Sequence, residues 1–152
     1  MEAERQHILT IFAKLGIDFT ENVHEEVRTS LQAAKVRGTP LKCGVKALVC
    51  RTLENRFILV LVRADKKADL KRIAEIAGTK RISLASTDEV IQVTGCEPGS
   101  IPPFGHKNEL ETYADSDIFK ENKVNFNIGL KTHSAEIAGK DLRKILGRIS
   151  EF

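Results

Sequence analysis

The 152-residue sequence contains no tryptophan, one tyrosine, one methionine, four prolines and three cysteines. The odd number of cysteines and the lack of a CxxC pair argue against a disulfide framework and a structural metal site. No uncharged apolar run approaches the ~18 residues of a membrane-spanning helix. The charged N-terminus also lacks the apolar stretch of a signal peptide. We therefore expect no metal, no membrane partner and a cytoplasmic location.

Composition places the chain among ordinary globular proteins, with 41% hydrophobic and 30% charged residues. The length suits one domain that covers residues 1–152. The net charge of +3 is weak evidence for a polyanionic partner, because such an excess is common. Neither a dinucleotide-binding fingerprint nor a P-loop is present, and we expect no cofactor.

Hydrophobic periodicity predicts a mixed α/β fold. The pattern predicts helices over residues 2–15, 25–36, 69–77, 86–94 and 139–149, and a short one over 116–121. In the second helix, Val27, Leu31 and Ala34 are expected to face inward. Predicted strands cover residues 18–24, 44–52, 57–62, 82–85, 111–113, 124–128 and 134–137. The second and third strands form a predicted hairpin, whose second strand is central and buried.

Residues 95–105 are the most unusual segment, with three of the ten glycines and three of the four prolines. Proline and glycine disfavour a helix here, and the rings restrict chain motion. We interpret the segment as a rigid loop that presents backbone N–H groups to a ligand. A well-packed surface connector is the alternative.

Lys46 is the first candidate for chemistry, because it is a cation within an apolar strand. It either lies on the solvated face of that strand or points into a cleft and binds a phosphate or carbonyl. His133, in the predicted turn over residues 129–133, is either an acid or base or a solvated side chain. The cysteines have apolar neighbours, which favours packing roles, and no catalytic triad spacing occurs.

Three segments together resemble the YbaK/ProX superfamily, the free-standing relatives of the editing domain in bacterial prolyl-tRNA synthetase. The strand Val-Lys-Ala-Leu-Val at 45–49 resembles the family's lysine strand. The segment Thr-Gly-Cys-Glu-Pro-Gly-Ser-Ile-Pro-Pro-Phe-Gly at 94–105 is similar to its long glycine-proline loop. Residues 124–129, 136–137 and 141–142 resemble its closing strand, glycine turn and helix.

The resemblance implies a mixed, mostly antiparallel sheet curled into a partial barrel with surrounding helices. It also implies an aminoacyl-tRNA deacylase that acts in trans on the acceptor end of mischarged tRNA. The expected substrate is proline tRNA that carries a small amino acid such as cysteine or alanine, and a synthetase is a possible partner. Hydrolysis is expected to use substrate positioning and oxyanion stabilisation without metal.

The site residues that the resemblance implies belong to these segments. The candidate catalytic residues are Lys46, which matches the family's essential lysine, and Gly99, which begins the loop segment that faces the terminal adenosine and the ester. Further candidates for substrate binding are Gly95, Ser100, Ile101, Pro102, Pro103 and Gly129. Many family members carry serine where this chain has Pro102, so a hydroxyl is missing there. His133 has no family counterpart and is a candidate through its position in the turn.

Two functions other than hydrolysis are also consistent with the sequence. One is a non-catalytic module that binds the tRNA acceptor end or a synthetase. Lys46 favours catalysis over this module, because docking alone has no need of it. The other is a protein in which the loop only closes the sheet.

Overall fold

The computed structural model describes residues 2–27 and 29–152. Its helices are α1 (Glu2–Leu15), α2 (Ser30–Arg37), α3 (Leu70–Ala77), α4 (Thr87–Thr94) and α5 (Gly139–Leu146), with short 3-10 turns at Leu41–Cys43 and Ser116–Lys120. Its strands are β1 (Thr20–Val23), β2 (Val45–Thr52), β3 (Phe57–Arg63), β4 (Ile82–Leu84), β5 (Glu111–Ala114), β6 (Lys123–Asn127), β7 (His133–Ala138) and β8 (Ser150–Glu151).

The strands form two sheets, in the orders β1-β7-β6 and β4-β2-β3-β5-β8. The smaller sheet is antiparallel, whereas β5 pairs parallel with both β3 and β8 in the larger one. A parallel bridge between Gly44 and Asn125 joins the two sheets. The predicted mixed, mostly antiparallel architecture is thus confirmed, as two open sheets that meet at this bridge.

Strand β3 is the buried centre of the larger sheet. Its five residues 58–62 are at most 1% exposed, and they pack alternately into two apolar clusters. Leu59 and Leu61 join the cluster that includes α1, whereas Ile58 and Val60 join the one that includes α3. The predicted hairpin with a central second strand is confirmed, since an all-apolar strand needs cover on both faces.

Local end signals account for several helix boundaries. The Ser86 side chain accepts from the Glu89 amide, and Glu89 accepts from the Ser86 amide, so the predicted capping box starts α4. Asp69 caps α3 by accepting from the Arg72 amide at 3.1 Å. No helix within residues 2–27 or 29–152 combines the length and apolar character that a membrane crossing requires.

Helix α2 differs from its prediction in both start and orientation. The helix starts at Ser30, after Thr29 accepts from the Gln32 amide. Residues 25–27 are not helical, and residue 28 lies outside the described part. Leu31, expected to face inward, is 70% exposed, whereas Ala33 is buried. The inward face of α2 therefore carries small side chains, and the prediction that placed Leu31 in the core was wrong.

Two other predicted elements are longer than those observed. Strand β1 covers only Thr20–Val23 of the predicted residues 18–24, and its Val23 is 71% exposed. Helix α5 ends at Leu146 because Gly147 takes a positive φ of 63°. The chain then forms β8, which was not predicted and which pairs with β5.

Candidate functional site

A cavity of about 190 Å³ lies where the two sheets meet. It is enclosed by α2, the first half of β2, strand β6 and the loop of residues 95–105. Its lining residues are Val27, Thr29, Ser30, Ala33, Ala34, Arg37, Leu41, Gly44, Val45, Lys46, Ala47, Leu48, Ala64, Gly99, Ile101, Asn125 and Asn127. Three residues predicted for the site, Lys46, Gly99 and Ile101, are thus brought together here.

The first half of β2 lines the cavity because, among residues 2–27 and 29–152, no strand lies along one of its edges. On one side β2 pairs with β3 along its length, but on the other side β4 pairs only with residues 50–52. Gly44, just before the strand, is buried at the bridge between the sheets. A Cβ atom at Gly44 would lie 2.9 Å from Ala64 Cβ, so the close approach of these two segments of the chain requires glycine.

Lys46 places a cation in the cavity without a carboxylate partner in the described residues. Its Nζ donates a 2.7 Å hydrogen bond to the backbone carbonyl of Lys66. Burial lowers the pKa of Lys46, and the nearby Asp65 opposes that shift. Asp65 itself forms an ion pair with Arg63 at 2.7 Å. The ammonium group is therefore oriented by a neutral acceptor and keeps its charge available to a ligand.

The glycine-proline loop carries two backbone N–H groups of interest, at the residues through which it lines the cavity, Gly99 and Ile101. The N–H groups of Gly99 and Ile101 have no hydrogen-bond partner among residues 2–27 and 29–152. Gly99 is exposed and adopts a φ of 87°, a conformation that favours glycine. Between them, the Ser100 amide is already bonded to the Glu97 carbonyl at 3.0 Å. Alternate amides of this segment are thus free to bind an oxygen atom.

The remainder of the loop is packed into the protein core. The Phe104 ring makes edge contacts with Phe12 of α1 and Phe126 of β6, at centroid distances of 5.9 and 5.7 Å. His106 Nε2 donates to the Pro102 carbonyl at 2.6 Å. Burial lowers the pKa of His106, which favours the neutral ring. These contacts fix the loop, in agreement with the rigidity expected from its composition.

The turn after β6 contacts the loop but does not line the cavity. The Gly129 amide donates to the Ser100 carbonyl at 3.0 Å. His133 begins β7 opposite Val23, and its Nδ1 lies 2.8 Å from Thr132 Oγ1. Both residues are outside the set that lines the cavity, and their roles in substrate binding stay predictions.

Four further predicted residues also lie outside the lining set. Gly95 ends α4 with a φ of 78° and packs against α1. Ser100, Pro102 and Pro103 are buried, and the Ser100 hydroxyl donates to the Glu97 carbonyl at 2.8 Å. They support the loop in the structure, and any contact that they make with a substrate stays a prediction.

Arg37 was missed by the sequence reasoning, although it is the second cation of the cavity. Its guanidinium donates to Asn125 Oδ1 at 2.7 Å, to Ser134 Oγ at 2.8 Å and to Asn127 Oδ1 at 3.1 Å. Burial lowers the pKa of Arg37 to about 10. A pKa of about 10 still keeps Arg37 charged at neutral pH. All three acceptors are neutral, and no carboxylate among the described residues pairs with it.

The acceptors around Arg37 are themselves held in place. Asn125 Nδ2 donates to Thr39 Oγ1 at 3.1 Å, which fixes the orientation of the amide. His24 Nδ1 donates to the Glu25 carbonyl at 2.8 Å, so its Nε2 accepts from the Ser134 hydroxyl at 2.6 Å. The lone pairs of Ser134 Oγ are then left for Arg37.

A signal for Arg37 was present in the sequence. Ser30, Ala33, Ala34 and Arg37 follow the spacing of one helix face, and all four line the cavity. This stripe of small residues ends in a cation, whereas a helix packed against an apolar core carries a stripe of large apolar residues. The hydrophobic pattern with Leu31 masked this stripe.

The cavity therefore combines two cations with two free backbone N–H groups, and no carboxylate lines it within the described residues. Such a set binds anionic oxygens and stabilises negative charge that develops on a carbonyl oxygen. The lining also holds hydroxyl and amide groups from Thr29, Ser30, Asn125 and Asn127. The arrangement suits a polar ligand with an anionic part.

Comparison with known proteins gives a consistent result. The sequence model of the family described as "Aminoacyl-tRNA editing domain" matches residues 24–145. The chain is 35% identical over 144 residues to the Multifunctional Ser/Thr-tRNA deacylase ProXp-y of Escherichia coli strain K12. That alignment covers 92% of this chain and 86% of the relative.

Two further matches concern prolyl-tRNA synthesis. The chain is 34% identical over 102 residues to the Proline--tRNA ligase of Trichlorobacter lovleyi, covering 67% of this chain but only 17% of the ligase. Among solved structures, a candidate trans-editing enzyme for prolyl tRNA synthetase superimposes with a TM-score of 0.84 at 24% identity. That superposition covers 98% of this chain and 94% of the other, and it shows a shared fold.

Proposed function

The chain belongs to the aminoacyl-tRNA editing domain family, and we propose that it removes small amino acids from mischarged tRNA in the cavity between its two sheets. The protein is an aminoacyl-tRNA deacylase, an ester hydrolase. The proposal concerns where the ester binds, which residues act on it and which amino acids are removed.

The observation that carries the proposal is the meeting of Lys46 with the free amides of Gly99 and Ile101 in one cavity. An aminoacyl ester is activated, so positioning and oxyanion stabilisation suffice for its hydrolysis. The proposed hydrolysis uses no serine or cysteine nucleophile and no metal. The attacking oxygen belongs to water or to a group of the substrate itself.

In the proposed reaction with water, its oxygen forms a bond to the ester carbonyl carbon. The carbonyl oxygen then becomes an oxyanion, which accepts hydrogen bonds from the two loop amides or from Lys46. When the intermediate collapses, the bond to the ribose oxygen breaks, and that oxygen takes up the proton that the attacking water has released. The products are the free amino acid and uncharged tRNA.

The size and polarity of the cavity favour small amino acids. Its volume of about 190 Å³ is below the ~300–1,000 Å³ of pockets for drug-sized ligands. Exclusion by size rejects larger side chains more readily than smaller ones. The polar lining and the E. coli relative's description as a Ser/Thr-tRNA deacylase support seryl and threonyl esters as substrates. Alanyl and cysteinyl esters on proline tRNA are the second candidates.

The relation to proline tRNA ligases supports proline tRNA as one acceptor. The proposed partner of a protein that acts in trans is a synthetase that releases the mischarged tRNA. We place the reaction in the cytoplasm, where such tRNA is made and used.

A deacylation panel tests the proposal. Purified protein is incubated with proline tRNA carrying alanine or cysteine, and with threonine and alanine tRNAs carrying serine. Correctly charged prolyl-tRNA serves as the control for size exclusion. We expect faster hydrolysis of the small esters than of prolyl-tRNA. Rates equal to buffer for every mischarged tRNA would overturn the proposal.

A further inference from the structure

We propose that Arg37 binds the phosphate of the terminal nucleotide of the tRNA, which leaves Lys46 and the loop amides to act on the ester. This inference rests on the proposed function, because it assigns a part of the same substrate to a second cation.

Arg37 has donors to spare. A guanidinium carries five N–H groups, and three of them bind Ser134, Asn125 and Asn127. The other two, one on each terminal nitrogen, have no acceptor within residues 2–27 and 29–152. Because Arg37 lines the cavity, these donors are available to a ligand there. Guanidinium groups bind phosphate oxygens through N–H donors of this kind.

The position of Arg37 is fixed before a ligand arrives. Asn125 is oriented by Thr39, and Ser134 is oriented by His24. A long side chain loses conformational entropy when it binds a ligand, and that cost is reduced where the side chain is already held. Arg37 is only partly exposed, and a partly desolvated cation whose protein acceptors are all neutral is costly to maintain. An anionic ligand compensates that cost, whereas a neutral hydroxyl does so only in part.

The substrate carries anions only on its phosphodiesters when the attached amino acid is neutral. The terminal ribose carries both the ester and the 5′-phosphate, so a site that holds the phosphate brings the ester close. Two cations in one cavity can therefore bind different parts of the substrate. Arg37, with its planar pair of donors, suits the phosphate, whereas Lys46 shares the cavity with the free amides that suit an oxyanion.

Binding of small analogues tests this assignment without relying on catalysis. Adenosine 5′-monophosphate and adenosine differ by the phosphate, and their dissociation constants are measured by NMR titration of the intact protein. We expect the wild-type protein to prefer the monophosphate by about tenfold, as for a charge-assisted hydrogen bond. Arg37→Gln keeps hydrogen-bonding ability without charge and is expected to bring the ratio close to one. Arg37→Lys is expected to retain part of it.

Arg51→Met is the matched control, and Lys46→Met, which is expected to keep the preference for the monophosphate, tests the other cation of the cavity. Arg51 is exposed and paired with Glu89 away from the cavity, so its substitution should leave the ratio unchanged. Circular dichroism and thermal unfolding establish that each variant is folded. If Arg37→Gln fails to fold, Arg37→Lys is used in its place. A ratio of the two dissociation constants equal to that of the wild type, in both low and high salt, would then contradict a contact between the phosphate and the guanidinium donors of Arg37.

Three outcomes overturn the inference. The wild-type protein could show no preference for the monophosphate, or the preference could be lost only in Lys46→Met. Alternatively, Arg37→Gln could leave the ratio intact and change only the preference between seryl and alanyl esters, which would make Arg37 a selector of amino acids. In each case the deacylation panel stands as an independent measurement, so failure here is distinct from failure of the proposed function.

Discussion

Lys46 Nζ donates a 2.7 Å hydrogen bond to the backbone carbonyl of Lys66. The carbonyl directs the ammonium group but does not neutralise it. A carboxylate in the same place would compete with an anionic ligand and would weaken any stabilisation of an oxyanion. The choice of a neutral acceptor, repeated at Arg37, is what makes the cavity electropositive although the whole chain has a net charge of only +3.

Replacing Lys46 with alanine is expected to abolish most of the deacylase activity while the protein stays folded. Loss of one group that stabilises an oxyanion lowers kcat by about 100- to 1,000-fold. Stability should change little, because removing the lysine also removes a partly desolvated charge. Rates are measured on the best substrate of the panel, and the free energy of unfolding is measured by urea denaturation.

Lys67→Ala is the matched control for that substitution, because Lys67 is an exposed lysine that is not part of the cavity lining. It is expected to retain wild-type kcat/KM. If Lys46→Ala were as active as Lys67→Ala, the lysine would have no part in the reaction.

Gly99→Ala is expected to lower activity through the backbone rather than through a clash. A Cβ atom at Gly99 meets no atom within 4 Å, but the φ of 87° is unfavourable for alanine. A residue other than glycine in the left-handed region costs about 1–2 kcal/mol. The loop relaxes to avoid this strain, and the amides of Gly99 and Ile101 move away from the cavity.

Gly99→Asn provides the comparison, because asparagine enters the left-handed region more readily. It should retain more kcat/KM than the alanine variant, although its side chain is larger. The reverse order would indicate that free space at this position, and not its backbone conformation, is what the reaction requires.

The bridge between the sheets predicts a coupled pair of substitutions. In Gly44→Ala the new methyl group would lie 2.9 Å from Ala64 Cβ. Overpacking of this kind costs about 1–3 kcal/mol, and it would widen the gap between the sheets at the cavity. Adding Ala64→Gly restores the space, so the double variant should be more stable than the sum of the single effects predicts.

Urea denaturation of the four proteins measures this coupling. Additive free energies of unfolding would mean that the two residues do not contact each other. Activity provides a second readout, because Gly44 and Ala64 both line the cavity.

The sequence was sufficient to predict the elements whose signals are local. The capping box at Ser86 and the apolar alternation of β2 and β3 depend on neighbours in the chain, and both are confirmed. The cavity lysine was singled out because a cation is conspicuous in an apolar strand. The loop of residues 95–105 was recognised from its composition, and its long motif identified the family.

What the sequence did not reveal depends on contacts between distant segments. The place of Arg37 in the site depends on its hydrogen bonds to Asn125, Asn127 and Ser134, which lie 88 to 97 positions away in the sequence. The orientation of α2 was wrong because a cavity, rather than an apolar core, lies under the helix. In such a place small and polar side chains face inward, and Leu31 is left on the surface.

His106 predicts how stability depends on pH. Burial lowers its pKa in the folded protein, whereas an unfolded histidine titrates near ~6.5. Between these two pKa values the unfolded state binds more protons, so the free energy of unfolding falls as the pH drops below ~6.5. The contribution of one such group to the free energy of unfolding has a slope of at most about 1.4 kcal/mol per pH unit.

The variant His106→Gln has no titrating side chain at this position. Its free energy of unfolding should therefore fall less on acidification than that of the wild type. Urea denaturation at pH 7.5 and 5.5 measures it, with exposed His7→Gln as the control that keeps His106. An equal loss of stability on acidification in His106→Gln and the wild type would show that His106 does not titrate in the folded loop as its burial predicts.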